Sequence, residues 1–476
     1  MRRCGLRRAR YLGLARTHLG HALTAAALNV VRLAEWLAGT PRARTRRSAF
    51  ATLMGRTAVT VAPHRGVIAH VEVEQRRVQV AFFRLWAVNH GRRSTSMDPQ
   101  AQFCPNLACP ARGQRARGNI RVHSHTERRY RCTTCGRTFT ATTGTPFFRL
   151  KYAADLVTTV LTLLCHGCPL QAIVAAFGLD ERTVAAWQGR AGQHCQQVHE
   201  HLVEQGQVDQ GHVQADELWV KLVGRKVWLA MALAVPSRLW LGGVISPHRD
   251  GALIRRLVER VRACASRLDI LVCVDGLSSY VTAFRRGFRA PVRTGRRGRP
   301  RLVLPDGFLL GQVVKRYAKR RVTGVVQRAK HGTAGAIAAV LAATRSGTAI
   351  NTAYIERLNA TFRSRLAPLV RRGRAIARTE TRLTAGMWLV GCAYNFCWHH
   401  DSLRQMAPVG AGQKGRERTP AMAAGLADRR WTLADLLGYR APPPAWVVPK
   451  RRGRPPKTAR SLPRPAALPP PLAEAA

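Results

Sequence analysis

The sequence predicts a multidomain protein of mixed α+β and α/β class. Three observations carry that reading: two spaced cysteine pairs between residues 104 and 135, two helical stretches meeting at a glycine near residue 178, and a later run of three strands, a helix and a strand. At 476 residues the chain holds two or three domains with cores of their own. Lysine and arginine number 78 against 25 acids, a formal net charge of +53 spread along the whole length. Such a field selects a polyanionic partner. Nucleic acid fits better than a membrane surface, because 46% hydrophobic residues describe packed globular domains. No apolar run approaches the roughly 18 residues of a spanning helix.

Residues 1–96 are arginine-rich, with strand-like fragments (VIAHVEVEQRRVQVAFFRLWAV) and no chemical constellation. The opening apolar stretch is broken by Arg32 and Glu35 and lacks a small-residue cleavage signal, so it reads as an amphipathic helix rather than a targeting peptide. Met97 opens a different style of sequence, and the expectation is that the functional chain begins there. Four of the twelve cysteines are paired, and the others stand singly or as one close pair in apolar surroundings, the pattern of a reducing compartment.

Residues 97–148 carry Cys104 and Cys109 (CPNLAC) and then Cys132 and Cys135 (CTTCGRTF). Two such pairs brought together by a hairpin give one tetrahedral S4 site, a zinc ribbon holding a structural Zn²⁺ with no open position for catalysis. Gly136 allows a tight turn around the metal and Phe139 covers it. The intervening RGQRARGNIRVHSHTERRYR is densely basic and suits a phosphate-contacting face. Cys165 and Cys168 (CHGC) have zinc-like spacing too, but their apolar flanks VLTLLCHGCPLQAIV make them core residues.

Residues 149–204 read as helices. PLQAIVAAFGLDERTVAAWQGR has helix-turn-helix spacing: Ile173 and Phe177 apolar, a turn at Gly178, Leu179 anchoring it, Asp180 capping the next helix, and Val184 and Trp187 packing it. Arg182 is the candidate groove contact, with Ala185 and Ala186 limited to thymine methyls. An ordinary αα-hairpin is the competing reading, since Val174 stands where such motifs commonly place a small alanine.

From 205 to about 400, HVQADELWV, KVWLAMALAV and LWLGGVIS read as successive strands of an antiparallel meander, GALIRRLVERVRACA as a helix and LDILVCVDG as a buried strand. That order is the order of a ribonuclease H-like mixed-sheet domain. Asp216 falls in its first strand and Asp275 ends its fourth, where both carboxylates face one metal. Glu217 is expected not to share that duty, because consecutive strand residues point to opposite faces. The third acid follows from scarcity. Between Asp275 and Glu380 the chain has two carboxylates, Asp306 in a PDG turn and Glu356 in NTAYIERLNATFRSRLAPLVRR, where Ile355, Leu358, Phe362, Leu366 and Leu369 form an apolar helical stripe. Asn359 and Arg363 share the polar face with Glu356, and Arg363 is placed to hold a phosphate. Strand-end, turn-capping and ion-pairing roles are the competing readings of the three acids.

ADELW, VDG and NTAYIERLNATFR, with the later AYNFCWHHDSLR and TPAMAAGL, resemble the DDE-type transposases of compact bacterial insertion sequences, the group with an N-terminal zinc ribbon. The resemblance covers roughly Met97 to Arg440 and departs from the pattern in the wide gap between Asp275 and Glu356, an insertion at about 290–335. It implies a DNA strand transferase in which Asp216, Asp275 and Glu356 hold two Mg²⁺ (or Mn²⁺) ions, acting on double-stranded DNA at element ends and targets. It further implies a homo-oligomer, at least a dimer when two ends are synapsed, in the bacterial cytoplasm at the nucleoid. Within residues 1–55, LTAAALNVVRLAEWLAGTPRARTRRSAFATL resembles the C-terminal tail of a different, larger transposase family.

Residues 401–441 read as a helical segment and 442–476 as a disordered, proline-rich basic tail. RGRP occurs twice, with Arg297 and Arg299 in the insertion and Arg452 and Arg454 in the tail, resembling AT-hook cores that enter a narrow A·T minor groove. Solvated basic loops are the alternative. Three other readings of the whole stay open: a DNA-binding regulator without catalysis, an inactive transposase relic, and a structure-specific nuclease of the same fold.

Overall fold

The computed structural model describes residues 97–293, 295, 298–318, 321–370, 376–405 and 415–447. The expectations for residues 1–96 and for Arg297, Arg452 and Arg454 lie outside the described residues. The chain divides into two units at Thr95 and Ser96, and everything described belongs to the second.

Its first part is a three-stranded antiparallel sheet of β1 (Ile120–Ser124), β2 (Arg129–Cys132) and β3 (Thr138–Thr140). So small a sheet buries little, and its core is Ile120, Tyr130 and Phe139 packed around the cysteines, with Tyr130 and Phe139 stacked at 5.8 Å. Residues from the far end of the chain brace it. Arg440 is buried with its guanidinium 4.4 Å over the Phe103 ring, and Arg112 Nε donates to Pro444 O at 2.6 Å. The tail expected to leave the fold at about 442 therefore stays against this module as far as Ala445, whose carbonyl accepts from Arg112 Nη2 at 3.0 Å. Gly113 permits the approach: it has φ +72°, and a Cβ there would lie 2.8 Å from Pro443 O.

Three helices follow, α1 (Ala154–Cys165), α2 (Leu170–Phe177) and α3 (Glu181–His199). Gly178 takes the left-handed conformation that ends α2, and the Asp180 carboxylate accepts from the backbone N–H groups of Arg182 and Thr183 at 2.7 and 3.3 Å. A cap of this kind contributes about 1 kcal/mol. Ile173, Val184 and Trp187 are buried between these helices, Cys165 lies in the same core, and Cys168 packs against it.

The second sheet has six strands, in spatial order β11 (Arg321–His331), β10 (Leu309–Ala318), β7 (Leu271–Val274), β4 (His212–Leu222), β5 (Arg225–Ala234) and β6 (Leu239–Ser246). β4, β5 and β6 form the antiparallel meander, and α4 (Gly251–Ala263) leads to β7. β7 runs parallel to both β4 and β10, and its four residues are wholly buried, as the middle of a two-faced parallel segment requires. After α5 (Ser278–Gly287), β8 (Ala290–Val292) and β9 (Arg301–Val303) make a small separate hairpin. β10 (Leu309–Ala318) and β11 (Arg321–His331) then complete the sheet, followed by α6 (Ala334–Ala343), α7 (Ala353–Arg365), α8 (Glu380–Phe396), α9 (Pro420–Ala423) and α10 (Leu433–Gly438).

One continuous apolar core joins the helical segment to the sheet. The second half of α3 buries Ala191, Cys195 and Val198, and Gly192 meets α8 so closely that a Cβ on it would stand 2.4 Å from Ala385 Cα. On the other side of α8, Trp388 packs edge-on against Trp240 of β6 at 5.3 Å. Helix-to-backbone contact at Gly192 leaves no flexible atom to give way. Gly192→Ala is therefore expected to lower the thermal midpoint by several degrees, an overpacking cost of about 1–3 kcal/mol that outweighs the roughly 1 kcal/mol of better helix propensity. Gly189→Ala, on the same helix with nothing within 4 Å of its would-be Cβ, leaves the midpoint unchanged or raises it.

Candidate metal centres

The pairing of β7 stops after Val274, which lies opposite Ala215 on β4 and Gln312 on β10. Asp275 comes next in the chain. At the level of Asp216 and Glu217, β4 and β10 therefore have no strand between them, and this gap in the sheet's pairing forms a crevice at the carboxyl end of the central parallel strand, the position where sheets of this kind hold ligands.

Asp216, Glu217 and Asp275 place carboxylate oxygens within 4.8 Å of one another there. Glu217, expected not to share the metal-binding duty of Asp216, nonetheless has its carboxylate in the same cluster. The alternation itself holds: Asp216 Oδ2 accepts from Asn359 Nδ2 of α7 at 2.8 Å, while Glu217 Oε2 accepts from the Tyr280 hydroxyl of α5 at 2.8 Å, on the opposite face. Because β7 has ended, the two side chains converge around its end instead of being separated by it.

The three acids are not equivalent. Glu217 is buried and its charge is matched by Arg249, whose Nε donates to Oε1 at 2.6 Å. Arg249 also lies 3.5 Å from Asp275 Oδ2 and 5.1 Å over the Trp228 ring. Asp216 has uncharged hydrogen-bond partners, Asn359 and the backbone N–H of Glu217, the latter at 2.9 Å. Burial, with repulsion from Glu217 and Asp275, pushes its carboxyl up to about 7. Burial and Glu217 also raise Asp275, against the pull of Arg249. Two half-buried acids held above their ordinary range suit a hard divalent cation, whose charge reverses the repulsion. Asp216 and Asp275 are the residues that fit it; Glu217, with both oxygens engaged, serves to hold Arg249.

Glu356 sits in the first turn of α7 and is half exposed. Its Oε1 accepts from Lys315 Nζ at 2.7 Å and from Thr352 Oγ1 at 3.2 Å. It lies outside the cluster of three, although its charge adds to the rise of Asp216. Asn359, expected on the polar face of α7 with Glu356 and Arg363, is buried there and reaches Asp216. Arg249, Tyr280 and Lys315 were missed. The available signal was the buried Asp-Glu doublet, since a buried carboxylate needs a cation or a hydrogen-bond donor, but nothing local says which of so many basic residues supplies it.

In the cysteine module, Cys104 Sγ lies 3.7 Å from Cys135 Sγ, and Cys109 Sγ 3.9 Å from Cys132 Sγ. All four sulfurs are unoxidised and fall within 4.8 Å of one another. A tetrahedral site with Zn–S bonds of about 2.3 Å has S···S edges of about 3.8 Å, so the spacing fits Zn²⁺. Asn119 Nδ2 points at Cys132 Sγ from 3.5 Å, a donor suited to a thiolate. Burial raises the Cys104 thiol, whereas at Cys135 burial is outweighed by hydrogen bonds, first from Asn106, that bring it down to about 7.

Of the expected DNA contacts, Arg182 is exposed in the first turn of α3, Arg299 is exposed in the β8–β9 connection, and Arg363 is partly buried on α7. A cavity of about 590 Å³ lined by Glu200, Glu204, Glu259, Arg260 and Trp388 involves none of the predicted site residues. Among the described residues no helix is long and apolar enough to cross a membrane. No family model matches the chain, and no curated protein matches it.

Two measurements follow from this geometry. Without divalent cations, a carboxyl raised from 3.8 to about 7 binds more protons in the folded than in the unfolded state, so its contribution makes stability fall as pH rises from about 4 to 7. Asp216→Asn is expected to flatten that slope and to raise the thermal midpoint at pH 7; an unchanged slope contradicts the repulsion. Metal analysis of the purified protein is expected to give one zinc per chain, lost in Cys132→Ser together with folding of the module.

Proposed function

We propose that this protein is a divalent-metal-dependent DNA strand transferase of the DDE transposase type, with Asp216 and Asp275 as its principal metal ligands and Glu356 as the third acid. The observation that carries the reading is the convergence of Asp216 and Asp275 on one crevice, in a chain whose formal net charge is +53. A basic protein that concentrates half-buried acids at one point has a use for a cation there, and its surroundings attract the polyanion whose phosphate that cation would meet. The meander, helix and central parallel strand stand in the order expected for a ribonuclease H-like domain, which supports the same assignment. The cysteine module is read as a zinc ribbon, and α2–α3 as a helix-turn-helix with Arg182 at its outer end.

When bound, Mg²⁺ or Mn²⁺ supplies Lewis-acid stabilisation to the phosphoryl group and acidifies the attacking oxygen. The protein's own residues position and neutralise. Asn359 fixes the rotation of the Asp216 carboxylate, and Glu217 with Tyr280 holds Arg249 so that its charge stands beside Asp275. Lys315 orients Glu356 from across the crevice and Arg363, one helical face along, suits a flanking phosphate. In the first step water forms a bond to phosphorus as the bond to the 3′-oxygen breaks; in the second the freed 3′-hydroxyl attacks target DNA and a second 3′-oxygen leaves. Neither step needs ATP or a covalent protein intermediate.

The test is incubation of the protein with its flanking element ends and Mg²⁺ or Mn²⁺, reading nicking and joining on gels. Asp216→Asn is expected to bind DNA within about threefold of wild type while cleavage falls at least 100-fold, on the order of what loss of one principal transition-state contact costs. Cleavage by the variant at the wild-type rate excludes the assignment. Wild-type binding without cleavage points instead to a DNA-binding regulator.

A further inference from the structure

β10 pairs with β7 from Leu309 to Gln312, but its pairing with β11 runs on to Ala318. From Val314 outward the two strands form a two-stranded ribbon that the rest of the sheet does not continue. A ribbon of this kind at a sheet edge is ordinarily an aggregation hazard, and basic side chains are one way in which proteins blunt it. Here the charge is of one sign: from Gly307 to Ile355 the chain has no acidic residue. Arg316, Arg321 and Arg328 are exposed, and among the described residues their side chains, with that of Lys330, make no hydrogen bond or ion pair. Val322 and Val325 are also exposed, at 51% and 55%. Basic and β-branched residues left together in solvent on a projecting element have no role in this fold.

The register gives the ribbon a definite geometry. Gln312 lies opposite Arg328 and Arg316 opposite Gly324, with Val314 and Val326 paired between them. Arg316 and Arg328 therefore share one face, four residues apart along the ribbon, or about 13 Å. Gly324 leaves open space beside Arg316. A bulge between Arg316 and Tyr317 adds local twist. A twisted two-stranded ribbon fits the DNA major groove, which is about 12 Å wide, so one arginine can reach each phosphate wall. At the ribbon's root Lys315 points to the other face and holds Glu356.

We infer that the face of the β10–β11 hairpin carrying Arg328 at its root and Arg316 farther out is a DNA arm that seats in the major groove beside the acidic crevice. The inference rests on the strand-transferase reading for the duplex DNA it commits to, but not for the arm's basic, unpartnered character. The probe is a 30-base-pair DNA duplex of arbitrary sequence, with the full-length protein and binding followed by fluorescence anisotropy across a salt series. Arg316→Gln/Arg328→Gln is expected to weaken binding about 10-fold near 0.15 M salt and to reduce the slope of log K against log salt by about 1.8, the loss of two phosphate contacts. Arg316→Lys/Arg328→Lys restores the slope. Arg255→Gln/Arg256→Gln, which removes two exposed arginines from α4, controls for net charge. Equal effects from the α4 and ribbon variants overturn the arm, as does wild-type protection of no guanine N7 from methylation, because N7 lies in the major groove. Binding an RNA duplex more tightly than DNA also overturns it, since the A-form major groove is too narrow to admit the ribbon. If wild type bound no duplex at all, the strand-transferase reading itself would fail, a result distinguishable from loss of the arm alone.

Discussion

Repulsion among three carboxylates with oxygens inside 4.8 Å sets the terms for the rest of this structure. Buried like charges are tolerated where cations or hydrogen bonds offset them, and each of the three is handled differently. Glu217 receives Arg249 and Tyr280 and becomes part of the framework. Asp275 is shared with the same guanidinium at longer range. Asp216 receives two uncharged donors and carries the largest unrelieved cost, seen in a carboxyl pushed up to about 7. A fold that removed this cost by replacing Asp216 would be more stable and would lose an oxygen ligand of the candidate cation site.

The crevice exists because β7 is short. Four hydrogen-bonded residues are enough to fix β4 and β10 on either side, and ending there exposes the side chains that follow. Rigidity around the opening comes from both faces. α7 delivers Asn359 from one and α5 delivers Tyr280 from the other, and each helix is anchored by fully buried aromatics, Phe362 and Phe284. The helical segment that precedes the sheet is locked to the same core through Gly192 and α8. A DNA contact made by α2–α3 would thus be held in fixed relation to the acids, without an intervening hinge at that boundary.

Much of this was legible in one dimension. Alternating and buried apolar runs located β4 to β7, the 3.6-residue stripe located α7, and Asp180 beside Gly178 marked the boundary of α2 and α3. Cysteine spacing identified a four-sulfur cluster whose distances suit zinc. Each of these signals is local, and the physics behind it acts over a few neighbouring residues. A local rule does not register a missing neighbour. Alternation correctly sent Asp216 and Glu217 to opposite faces, but it assumed a strand on both sides, and the side chains meet because one side is open.

The sequence by itself singled out the acids of the candidate site, because carboxylates are scarce in so basic a chain and each stands on a recognisable element. It also determined the mixed architecture, through periodicities that report burial. Tertiary structure alone decided how the acids are divided in labour: Arg249 goes to Glu217, Lys315 to Glu356, and amide and backbone donors to Asp216. Those choices depend on the end point of β7, the parallel entry of β10 and the approach of two helices on opposite faces. Charge pairing over such sequence separations is set by distance in the folded state, which no local pattern encodes.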